Sequence, residues 1–105
     1  MADKTPRMLQ IEALLADDPT DTFLCYGLAM EHASAGDDRS SVEHLQRLIA
    51  REPYVPAYLM GAQSLIRLND EPSAIVMLKA GIAQADKQGN AHAASEMTGL
   101  LASIE

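Results

Sequence analysis

Apolar residues recur every three or four positions along most of the chain, and capping or breaking residues bracket each run. Thr5 can cap and Pro6 can open a first helix carrying Met8, Ile11, Leu14 and Leu15, which Asp17-Asp18-Pro19 closes. Thr20 or Asp21 caps a second helix, with Leu24, Cys25, Leu28, Ala29 and His32 on its stripe. Gly36 then supplies a left-handed C-terminal cap. Asp37 or Asp38 starts a third helix holding Val42, Leu45, Leu48 and Ile49, and Pro53 stops it. A fourth begins near Val55, takes Pro56 in its first turn, and carries Leu59, Ala62, Leu65, Ile66 and Leu68. Asn69-Asp70 turns the chain into a fifth helix, which has Pro72 in its opening turn, Ile75, Leu78 and Ile82 within, and Lys87-Gln88-Gly89 at its end. The last runs from about Asn90 and gathers Ala94, Met97, Leu100, Leu101 and Ile104. No stretch alternates as a strand does, so the chain is predicted to be all-α, with about six helices. Links of a few residues force neighbouring helices antiparallel.

The apolar pattern also repeats. Ile11, Leu14, Leu15 and Pro19 return one period later as Leu45, Leu48, Ile49 and Pro53. Cys25, Ala29, Ser41, Val42 and Leu45 return at almost the same interval as Tyr58, Ala62, Ala74, Ile75 and Leu78. Asn69 stands in for Gly36, and both tolerate a left-handed backbone. On these residues the chain resembles the tetratricopeptide repeat (TPR) family, whose units of about 34 residues stack as helix pairs. Small residues (Ala29 and Ala62 on the first helices, Ser41 and Ala74 opening the second) match the family's close helix packing. Cys25 and His32 replace larger aromatics, Gly61 and Gly81 stand where Leu and Ala are usual, and Asp86 replaces a terminal proline. A four- to six-helix bundle without repeat ancestry is the alternative. The in-register pairs Pro19/Pro53, Gly36/Asn69, Ala29/Ala62 and Ser41/Ala74 weigh against it.

The resemblance implies a right-handed α-solenoid of antiparallel helix pairs. It divides into an N-terminal half-repeat helix (5–18), repeats at 21–53 and 54–86, and a capping helix at 90–105. In such a stack the first helices line the concave face. That face would carry Phe23, Tyr26, Met30, Ala33 and Ser34 from one repeat and Pro56, Leu59, Gln63, Ile66 and Arg67 from the next. Ala91, Ser95 and Thr98 would follow from the last helix. Phe23, Tyr26, Met30, Leu59, Gln63, Ile66 and Arg67 are the candidate partner-binding groove. Tyr26, Met30, Leu59 and Ile66 make its apolar strip, and Gln63 and Arg67 its polar contacts. The implied function is a non-catalytic scaffold that holds a peptide or protein segment. The alternatives are an assembly role, as a homodimer or within a larger complex, and a small hydrolase or metal-binding protein using Cys25 and the histidines. One TPR subclass clamps C-terminal carboxylates with Lys and Asn, and here those places hold Tyr26, Met30 and Met60, which disfavours that activity.

Composition narrows the choice. The length of 105 residues suits one domain, and a hydrophobic fraction of 48% suffices for its core. Eight Lys and Arg against fifteen Asp and Glu give a net charge of -7, and the basic residues are scattered, so nucleic acid and anionic membranes are disfavoured as partners. No apolar run reaches the roughly 18–20 residues that span a bilayer. The opening residues lack an apolar signal segment, and a single Cys forms no internal disulfide, so a cytoplasmic location is expected. Cys25 and His32 share a helix face about 10 Å apart, too far for direct contact. His44 and His92 complete no ligand spacing. Asp17-Asp18, Asp37-Asp38 and Asp70-Glu71 fall at helix boundaries, where turn and cap chemistry accounts for them. Gly27, Gly61, Gly81 and Gly99 lie inside helices, where close packing is the expected reason. No phosphate loop, nucleophile elbow or metal cluster is legible, so no catalytic residue, metal or cofactor is assigned.

Overall fold

Side-chain caps set most of the helix starts. Thr5 Oγ1 accepts from the Met8 N–H at 3.1 Å, and Asp21, Asp37, Asp70 and Asn90 accept likewise from the N–H three residues on, at 2.9, 3.1, 3.2 and 3.1 Å. Six helices result in the computed structural model, which describes residues 3–105: α1 (Pro6–Asp17), α2 (Thr22–Ser34), α3 (Asp38–Arg51), α4 (Val55–Arg67), α5 (Glu71–Lys87) and α6 (Ala91–Ile104). Only α4 starts without a side-chain cap among α1 to α6, and Pro56 in its first turn removes one orphan donor there. One device ends α2, α4 and α5. Gly36, Asn69 and Gly89 turn left-handed (φ 83°, 61° and 73°), and the next N–H donates back to His32, Leu65 and Ala85 at 2.9, 2.9 and 2.8 Å. No strand occurs among the described residues.

Consecutive helices pack in sequence, giving a TPR-like all-α solenoid. Ala29, Ala62, Ser41 and Ala74 have no exposed surface, so the small positions lie where the helix pairs close. Leu45, Leu48, Leu78 and Met97 fill the space beside them and are buried to 1% exposure or less. Burying each such side chain stabilises the fold by about 1.5–3 kcal/mol.

Two expectations need correcting. Periodicity puts Leu14 on the buried stripe of α1, yet it is 55% exposed, because α1 packs against α2 alone and only Met8, Ile11 and Leu15 reach that interface. Close packing does not explain all the helical glycines either. Gly61 and Gly81 are pressed against neighbouring helices, Gly27 has only an ordinary contact with Ile11, and nothing lies within 4 Å of a Cβ built on Gly99.

The stack is tighter on one side than on the other. Helix α2 touches α4 and α4 touches α6, while α3 and α5 make no such contact. The first helices therefore line the inside of the curve and the second helices splay on the outside.

This packing has consequences for stability. The buried Ser41 Oγ has no hydrogen-bond partner, and α5 carries Ala74 where α3 carries Ser41, so Ser41→Ala is expected to stabilise the protein by about 1 kcal/mol in urea denaturation. At Gly81 a Cβ would sit 2.6 Å from the Cβ of Tyr58, an atom that cannot swing aside. Gly81→Ala is expected to cost about 1–3 kcal/mol, whereas Gly99→Ala gains about 0.5–1 kcal/mol of helix stability, both read from thermal unfolding.

Candidate functional site

The inside of the curve holds a hollow of about 260 Å³ between α2, α4 and α6. Tyr26 forms one wall. Val55, Pro56, Leu59, Met60 and Gln63 from α4 form the floor, and Asn90, His92, Ala93, Glu96 and Met97 close the far side. Aromatic rings continue the surface beyond it. Tyr26 meets Tyr54 edge to face at 5.3 Å between centroids, and Tyr54 meets Phe23 likewise at 6.3 Å. Phe23 remains 76% exposed, an unusual cost for an aromatic ring with no covering partner. Burial and the neighbouring Tyr54 phenol push the Tyr26 hydroxyl above its ordinary range, so it stays protonated and able to donate.

The seven groove candidates separate in space. Tyr26, Leu59 and Gln63 line the hollow, and Phe23 extends it through Tyr54. Met30 is exposed on α2 outside the hollow. Ile66 instead packs on the core cluster of α3 to α6. Arg67 is held elsewhere: its guanidinium pairs with Asp38 at 2.9 Å and donates to Ser64 Oγ at 3.1 Å. Of the wider concave set, Pro56 lines the hollow, whereas Ala33, Ser34, Ala91, Ser95 and Thr98 do not. Sequence reasoning missed Tyr54, Met60 and Glu96. Tyr54 had a legible signal, since it is an aromatic at a cap position it cannot cap, in the place where the preceding repeat has the capping Asp21.

No protein-family model matches the chain. A curated relative, a TPR repeat-containing protein of Pseudomonas aeruginosa, is 28% identical over 96 residues, spanning 90% of this chain and 91% of that protein. The solution structure of a protein from Bordetella parapertussis superposes with a TM-score of 0.83 at 20% identity, covering 96% of this chain and 89% of that one. The fold is TPR-like.

On the outer side of this TPR-like stack, the splay of α3 from α5 opens a second, larger groove of about 530 Å³. Tyr58 and Leu65 of α4 form its floor, Ile49 and Met77 its walls, and Val76, 69% exposed, stands on its rim. It is apolar and lies on the face opposite the hollow.

Cys25 and His32, the candidate pair for chemistry, have separate neighbours. Arg51 Nη2 lies 3.4 Å from the Cys25 sulfur, while His32 stacks on His44 of α3 at 5.0 Å between ring centroids. Among the described residues no group of three or more His, Cys, Asp or Glu side chains is arranged to hold a metal ion. No helix among them is long and apolar enough to cross a membrane.

Burial, then the adjacent His32, lowers the His44 imidazole below its ordinary value of 6.5. Arg47 adds to this, while Glu43 and Glu12 oppose it. The unfolded chain therefore takes up this proton before the folded one does. Stability is expected to be full above pH 6.5 and to fall as pH drops through the lowered folded value. Replacing His44 with the residue that α5 carries at the matching position, as His44→Met (compare Met77), should flatten that slope in urea denaturation measured across the window. Asp37 and Asp38, both held below 3.8, contribute a separate loss only in stronger acid.

Proposed function

We propose that this TPR-like chain is a non-catalytic interaction module that receives a segment of another protein in the hollow between α2, α4 and α6. The division into a half-repeat helix, two repeats and a capping helix belongs to the same proposal. The observation that carries it is the aromatic and apolar surface left open there: Phe23, Tyr26 and Tyr54 in edge-to-face contact, continuous with Leu59 and Met60. Rigid aromatics and an adaptable Met bind a partner with little loss of conformational freedom. The curated TPR relative supports a protein-binding role at the level of the family.

A second reading has its own observation. Val76 on the outer groove, with Leu9 and Leu14 exposed on α1, offers apolar surface away from the hollow, which suits assembly with another copy or a larger complex.

The readings separate by variant. Phe23→Glu and Gln63→Arg alter exposed side chains, so the circular dichroism spectrum and melting temperature should stay as in the wild type. Affinity capture of the partner is expected to be lost in both and retained in Val76→Glu. Capture that survives Phe23→Glu and Gln63→Arg overturns the hollow as the binding site. A dimer in light scattering that Val76→Glu dissociates would establish the assembly reading instead.

A further inference from the structure

We infer that the segment received in the hollow is a basic, amphipathic one, with an apolar anchor and a Lys or Arg close to it in sequence; this rests on the reading of the hollow as the binding site. The cations are divided unequally between the two faces, although the second helices balance theirs with carboxylates of their own. The second helices of the pairs carry most of the cations: Arg7 on α1, Arg39, Arg47 and Arg51 on α3, and Lys79 and Lys87 on α5. The first helices, α2, α4 and α6, carry only Arg67, and Asp38 engages it at 2.9 Å. No Lys or Arg lines the hollow.

Carboxylates stand at both ends of the open surface. Glu96 lines the α6 wall, half exposed, with the His92 imidazole beside it at 3.0 Å. At the aromatic end, the exposed Glu52 accepts from the Thr22 hydroxyl, next to Phe23 and close before Tyr54 in the chain. The three rings add a second attraction of the same sign, because their faces draw cations through the ring quadrupole. The net charge of -7 repels acidic segments over a longer range and steers basic ones in. An anionic C-terminus finds no cation here to hold it. A partner's Leu or Phe fits the apolar floor of Leu59 and Met60, and its Lys or Arg reaches Glu96 or the ring faces.

The test uses the full chain and a library of random peptides of about twelve residues, a length that crosses a groove of this kind. Selected peptides are expected to place Lys or Arg within about four residues of an apolar anchor, one helical turn or less away. Their binding, followed by fluorescence polarisation, should weaken as salt rises. Glu96→Gln should weaken the basic peptides about two- to five-fold, as expected for a rim pair, and leave their Gln-substituted counterparts unchanged. Hollow-bound peptides that are indifferent to their own basic residues, or enriched in acids, overturn this inference and leave the binding site standing. Failure to select any peptide that Gln63→Arg releases overturns both. Self-association of the free chain through the hollow, seen in light scattering and removed by Phe23→Glu, assigns that surface to a second copy and overturns the basic segment.

Discussion

Four small side chains set how close the helices come. Ala29, Ser41, Ala62 and Ala74 have no exposed surface, and each stands where the two helices of a pair close on one another. With nothing larger than a hydroxymethyl group at those places, the backbones nest, and the large residues around them, Leu45, Leu48 and Leu78, are sealed from water. The same register shows where nesting stops. Arg7 occupies the place one repeat before Ser41, and its side chain is 74% exposed. There α1 rests on α2 alone, and Leu14 is open to solvent although its counterpart on α3, Leu48, is buried to 1%.

Nesting that is tighter on one side produces the curvature, and the curvature produces both recesses. The first helices touch one another, which places Tyr26, Leu59 and Glu96 around one hollow although they come from three separate helices. The second helices do not touch, and the gap between α3 and α5 is floored by Tyr58 and Leu65. Gly81 belongs to the same geometry. It lets α5 press on α4 so closely that a methyl group would strike Tyr58, and a larger residue there would widen the angle on which both recesses depend.

Backbone punctuation is written locally, which is why the fold was legible. A cap needs one oxygen three residues before the N–H it satisfies, and a left-handed terminus needs Gly or Asn. Thr5, Asp21, Asp37, Asp70, Asn90, Gly36 and Asn69 meet those requirements within a few residues of chain. Side-chain pairing across helices has no such local signature. Nothing in the spacing of His32 and His44 says that their rings stack, because that depends on the rotation of α2 against α3. The same limit applies to the candidate groove. Periodicity places Ile66 and Arg67 on the first-helix face, but it cannot show that Ile66 turns to the core or that Arg67 has a partner on α3. Tyr54 lies in a connection, outside any helical register, and only the three-dimensional path of the chain sets its ring against Tyr26 and Phe23.

The Arg67–Asp38–Ser64 network illustrates which forces decide the structure and which decide its surface. It joins the end of α4 to the start of α3, and the guanidinium and the Ser64 hydroxyl hold the Asp38 carboxyl below the usual range. Arg67 is 51% exposed, so solvent screens the pair and its contribution is at most about 1 kcal/mol. One buried leucine of the helix interface outweighs it. The network is therefore a minor support of the fold, but its effect on the concave side is larger than its energy. It ties up the only Lys or Arg that the first helices possess, and leaves the carboxylates of Glu96 and Glu52 as the charges that an incoming segment meets.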